Sequence, residues 1–163
     1  NNSDVNSPGN TVYKYDIGDN YISRKVSGEY NILNKITLVN SSGPHVPVST
    51  GSWSMAYYLL GSNFPSGSKI LFRAVVGAFR NSGSNLTVQW YTGNPNTNIV
   101  YHTPIGPKAY STENYGATAF GLYKSTGFTQ YVSLRVVDVT TNGVAISSGN
   151  IASIQQITAK QLE

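Results

Sequence analysis

The sequence predicts an all-β protein, an antiparallel β-sandwich of about ten strands. Three observations carry this. Apolar and polar residues alternate with period two through most of the chain after residue 10. Clusters of Gly, Pro, Asn and Ser divide that alternation into short segments. No long stretch shows helical periodicity, which leaves an all-β sandwich or barrel, and the sandwich is the expectation.

The elements follow in order. Residues 1–10 (NNSDVNSPGN) are polar and contain Pro and Gly, which marks a flexible lead-in before a single domain over 11–163. Tyr13, Tyr15 and Ile17 alternate with Lys14 and Asp16, and Gly18-Asp19-Asn20 turns the chain. Strands are expected at Tyr21–Val26 and over Tyr30–Val39, the latter ended by Asn40-Ser41-Ser42-Gly43-Pro44. Trp53, Met55, Tyr57 and Leu59 form one alternating face, with Tyr57 and Tyr58 pointing opposite ways. After the break at 61–67, Lys69–Phe79 is the strongest strand: Ile70, Phe72, Ala74, Val76 and Ala78 share a face, and Lys69 and Arg73 lie opposite.

Asn81-Ser82-Gly83-Ser84 is expected to close a hairpin into Leu86, Val88 and Trp90, with Thr87, Gln89 and Tyr91 on the other side. Regularity fails from Thr92 to Asn114, a long loop interrupted by one apolar run, Ile99-Val100-Tyr101. Strands resume at Tyr115–Lys124 and Phe128–Val139, the latter with Phe128, Val132, Leu134 and Val136 on one face. Asn142-Gly143 signals a tight turn into Val144–Ile146. Ile151–Ile157 reads as the closing strand, although Ile151, Ile154 and Ile157 recur every third residue, as on a short helix.

Composition narrows the function. Of 163 residues only 11% are charged, against about 25% in an ordinary soluble domain. No Asp or Glu occurs between Glu29 and Glu113, and there is no cysteine. A disulfide framework, a thiolate metal site and a thiol nucleophile are thereby excluded. The carboxylates that exist, among them Asp16, Asp19, Glu29, Glu113 and Asp138, form no paired pattern suited to glycoside hydrolysis. The histidines, His45 and His102, lie beside prolines or in the loop and read as solvated side chains rather than triad members. Asp16, Asp19 and Asn20 could hold a hard cation, but a self-bonded turn is the simpler reading. No enzyme, no cofactor and no metal site is expected.

The net charge of +4 comes from scattered basic residues, of which only Arg24 and Lys25 are adjacent, so nucleic acid is not an expected partner. No signal-peptide pattern and no apolar run near 18 residues occurs, so no membrane insertion is expected.

The positive signals are aromatic. Tyr and Trp combine a flat apolar body with a polar tip, which suits them to stack on a pyranose ring while amides and hydroxyls read its OH groups. The 92–115 segment carries Asn94, Asn96, Asn98, Tyr101, His102, Tyr110, Glu113, Asn114 and Tyr115, the composition of a polyol-binding surface. The competing reading makes Tyr101 and Tyr115 strand-end core aromatics. Trp90 and Trp53 are expected in the core.

The phrases LGSNFPSGSKILFRAVVGAF and RNSGSNLTVQWY, followed by the Thr129–Val139 strand and the Asn142-Gly143 turn, resemble tailed-bacteriophage virion appendage domains of tail fibres, baseplates and head fibres. That resemblance implies a jelly-roll sandwich on the virion surface, forming a homotrimer. It implies a receptor-binding head whose partner is a host cell-surface glycan, with the N-terminal segment joined to other virion proteins. It carries no binding residue over. The alternatives are a capsid or tail decoration domain without ligand, and a free lectin or carbohydrate-binding module.

Overall fold

The computed structural model describes residues 20–26, 29–34, 37–38, 45–48, 54–60, 64–76, 83–94, 102–145 and 150–162, with side chains from Met55 onward except at 150 and 151. The lead-in, Asp16, Asp19 and Trp53 lie outside them. The alternating segments form β1 (Asn20–Val26), β2 (Glu29–Asn34), β3 (Thr37–Leu38), β4 (His45–Val48), β5 (Ser54–Leu60), β6 (Lys69–Val76) and β7 (Ser84–Thr92). They continue as β8 (Thr103–Pro104), β9 (Ala109–Thr112), β10 (Ala117–Lys124), β11 (Gln130–Thr141), β12 (Val144–Ala145) and β13 (Asn150–Gln161).

Two sheets face each other. The β6 sheet runs β10-β6-β13-β1-β2, with β4 also on β13. The β7 sheet runs β3-β5-β11-β7-β8, with β9 on β7 and β12 on β11. Four strands in the order β4-β13-β6-β10 therefore oppose four in the order β5-β11-β7-β9. Six of the nine steps from β4 to β13 pass between the sheets, which is jelly-roll winding. Pairing is antiparallel except between β1 and β13, which run parallel.

The core is the set of inward side chains. Ile70, Phe72, Ala74 and Val76 of β6 are buried, as the alternation predicts. They meet Leu86, Val88 and Trp90 of β7 and Val132, Leu134 and Val136 of β11. Burying each large side chain contributes about 1.5–3 kcal/mol. Trp90 ties the layers together: its ring lies 5.1 Å from that of Phe72, and its Nε1 donates to the Ala119 carbonyl at 3.0 Å.

Several expectations are corrected. No hairpin joins β6 to β7, because the two strands belong to different sheets; Asn81 and Ser82 lie outside the described residues. On β5 the inward residues are Ala56, Tyr58 and Leu60, while Leu59 is exposed and Tyr57 half-buried. The run Ala-Tyr-Tyr-Leu-Leu has apolar residues on both faces, so pairing with β11, with Leu134 opposite Ala56 and Val132 opposite Tyr58, decides which face enters. A register shift before Arg135 leaves Met55 buried as well. Phe128 precedes β11 and is 78% exposed. The 92–114 segment is not one loop, since β8 and β9 both pair with β7.

The closing segment is a strand, not a helix. A bulge between Ile154 and Gln156 accounts for the spacing of Ile154 and Ile157, bringing both to the core. Asn142 (φ 51°) and Gly143 (φ 81°) form the expected tight turn between β11 and β12.

Candidate functional site

The residues of β11 that alternate with its core positions are Tyr131, Ser133 and Arg135, and they point to the outer face of the β7 sheet. Tyr91, in register with Ser133, and Gln89, in register with Arg135, extend that face across β7. Tyr57, opposite Ser133, extends it across β5. Tyr110, opposite Thr87, extends it across β9. Four strands therefore assemble one surface from residues far apart in the chain.

One end of the surface is aromatic. The rings of Tyr57 and Tyr131 meet edge-on at 6.0 Å with an interplanar angle of 65°. Beneath them Ser133 is fully buried, and its Oγ has no hydrogen-bond partner among the described residues. A buried hydroxyl of this kind is uncommon. The middle is polar and tightly bonded. Tyr91 donates its OH to Gln89 Oε1 at 2.8 Å, and Gln89 Nε2 donates to the Gly106 carbonyl at 2.7 Å. Burial pushes the Tyr91 phenol above its ordinary range, against the opposing pull of the Arg135 charge.

Arg135 anchors the segment that follows β7. It is fully buried and donates from Nη1 to His102 Nδ1 at 3.1 Å and to the Asn94 carbonyl at 3.4 Å. A guanidinium only donates, so Nδ1 accepts and the imidazole proton sits on Nε2. Burial holds the His102 pKa below the usual 6.5, and the Arg135 charge lowers it further. Gly93 permits this arrangement. Its φ is +127°, and a Cβ there would lie 2.5 Å from the His102 ring.

Of the residues the sequence singled out, Tyr110 lies on this face, at the edge opposite the Tyr57–Tyr131 pair. From Thr87 to Tyr91 the strand rises about 14 Å, so the tyrosines bracket an extended surface rather than a single-ring pocket. His102 borders the surface, but as a half-buried acceptor from Arg135 rather than the solvated side chain expected. Glu113, Asn114 and Tyr115 form the β9–β10 turn at the sandwich edge. That turn is closed by Thr112–Tyr115 backbone bonds and by Ser111 Oγ donating to the Tyr115 carbonyl at 2.7 Å. Tyr115 is 75% exposed and is no core aromatic. Asn96, Asn98 and Tyr101 lie outside the described residues.

Sequence reasoning missed Tyr131, Ser133 and Arg135. The signal was present, because they alternate with Val132, Leu134 and Val136. Among the described residues no cluster of His, Asp or Glu could hold a metal ion.

No protein-family model and no curated protein matches the chain. Two solved structures share its fold. One is described as the EclA C-terminal domain, a sugar-binding protein. It has a TM-score of 0.51 at 15% identity, with 76% of this chain and 82% of that chain covered. The other is the CBM22-1 xylan-binding domain of Xyn10C from Paenibacillus barcinonensis. It has a TM-score of 0.54 at 12% identity, with 94% of this chain and 99% of that chain covered. At such identities the likeness establishes the β-sandwich fold.

Proposed function

We propose that the chain is a non-catalytic saccharide-binding domain whose ligand lies along the outer face of the β7 sheet. The observation that carries this reading is the face itself. Tyrosine rings stand at both ends, with amide and hydroxyl groups between them. Rings stack on the apolar faces of sugars, while the buried row of Gln89, Ser133 and Arg135 between them holds the face together from beneath.

The shared fold with a sugar-binding protein and a xylan-binding domain supports the same reading. It favours a free carbohydrate-binding module over a virion receptor head. The phage setting, the trimer and the attachment to other virion proteins rest on the strand phrases alone.

The test is binding of neutral polysaccharides, xylan among them, measured calorimetrically at low and high salt. Changing both Tyr57 and Tyr131 to Ala is expected to weaken binding about tenfold, and Tyr110→Ala about threefold, with thermal unfolding little changed. Binding to neutral sugars is expected to persist at high salt, because no exposed charge pair is needed for it. Full affinity in the Tyr57→Ala, Tyr131→Ala double variant would remove this face as the site.

A further inference from the structure

The opposite side of the sandwich has a different character. On the outer face of the β6 sheet, register places Lys124 of β10 directly opposite Lys69 of β6, and both side chains are exposed. Like charges in directly opposed positions destabilise a strand pair, so this doublet costs the fold free energy. One row along, Leu122 faces Leu71, which in turn faces Lys160 of β13. The next row sets Phe120 against Arg73, whose guanidinium donates to Gln156.

Lys69, Lys124, Lys160 and Arg73 thus share one face with Phe120 and Leu122, which are 41% and 48% exposed. Strands β6, β10 and β13 contain no Asp or Glu. Four of the eleven basic residues, scattered along the sequence, are gathered here by strand pairing into a cluster that their spacing does not show.

We propose that this face is a second binding surface, for an acidic polysaccharide. Charge complementarity identifies the partner as an anion. The alternation of cations with Leu122 and Phe120 identifies its kind: a uronate chain presents carboxylates and apolar ring faces in turn. Nucleic acid binding without base readout commonly uses aromatic platforms for successive bases, and Phe120 is the one aromatic exposed among the described residues of this face. This surface lies on the other sheet from the proposed neutral-sugar site and does not depend on it.

Polygalacturonate, with its fully methyl-esterified form as the uncharged control, tests the proposal. The protein is expected to bind the acid form at low salt and release it as salt rises. The double substitution Lys69→Gln, Lys124→Gln is expected to weaken that binding at least about fivefold while xylan binding stays unchanged. The fold is expected to survive, because the change relieves the cross-strand repulsion, and an unfolding temperature no lower than that of the parent checks this. The Tyr57→Ala, Tyr131→Ala variant is expected to keep its polygalacturonate binding, which separates the two faces. Equal affinity for the esterified polymer, or undiminished binding by the lysine double variant, would overturn the proposal. Tighter binding to single-stranded DNA than to polygalacturonate would overturn it in favour of a nucleic-acid surface.

Discussion

Replacing Trp90 with Ala is expected to lower stability by about 3–5 kcal/mol, the range for truncating a fully buried Trp. Three features put the loss there. The indole is completely buried and packs on Phe72 across the sandwich. Its Nε1 bond to the Ala119 carbonyl links β7 of one sheet to β10 of the other. Gly121 backs onto it so closely that a Cβ at that position would lie 2.6 Å from the Trp90 Cβ, leaving the neighbourhood no slack in the native state. Urea unfolding measures the effect as a fall in midpoint at unchanged slope.

Two companions separate the contributions. Trp90→Phe keeps most of the apolar contact and removes the donor, for an expected cost of about 1–2 kcal/mol. Gly121→Ala keeps the indole and overpacks it, for an expected cost of about 1–3 kcal/mol. An unchanged midpoint for Gly121→Ala would show that β10 can move away from Trp90 and that the close approach is not a constraint.

Trp90 and its neighbours show what could be read from the sequence. In β6 the charged Lys69 and Arg73 mark one face as outward, so the buried face follows from the alternation, and Ile70, Phe72, Ala74 and Val76 are all buried. Where both faces are apolar, as at residues 56–60, alternation carries no information and the partner strand chooses the face. Bulges defeat the pattern in another way. The extra residue between Ile154 and Gln156 turns a strand period of two into an apparent period of three.

The candidate site was harder to read because it is built across strands. Tyr110 was legible as a loop aromatic. Tyr57, Tyr131 and Ser133 become neighbours only once β5 pairs with β11, and no local motif encodes that pairing. The Lys69–Lys124 doublet was hidden for the same reason.

Removing the Arg135 side chain is expected to cost about 2–4 kcal/mol in Arg135→Ala, which combines a cavity with the loss of bonds donated by a charged group, those to His102 and Asn94 among them. Arg135→Met restores most of the volume and also removes the cost of burying a charge, so its expected loss is smaller. The two variants should nevertheless agree at His102. Burial comes first in holding that imidazole below 6.5, and the Arg135 charge comes second. Either substitution removes the second cause, so the His102 pKa is expected to rise toward 6.5 without reaching it.

The consequence for stability has a definite sign. In the parent protein the unfolded chain takes up a proton at His102 near pH 6.5, and the folded chain does so only at lower pH. Between those values the unfolded state binds more protons. The contribution of His102 is therefore fully present above pH 6.5 and is lost as pH falls toward the folded value. Without Arg135 that window narrows and the acid-side loss shrinks. Nuclear magnetic resonance titration of the imidazoles measures this directly, with His45, the other histidine, as internal reference. An unmoved His102 titration in Arg135→Met would mean that burial alone sets its protonation. Arg135 would then act on the surface only by tethering Asn94 and the His102 ring.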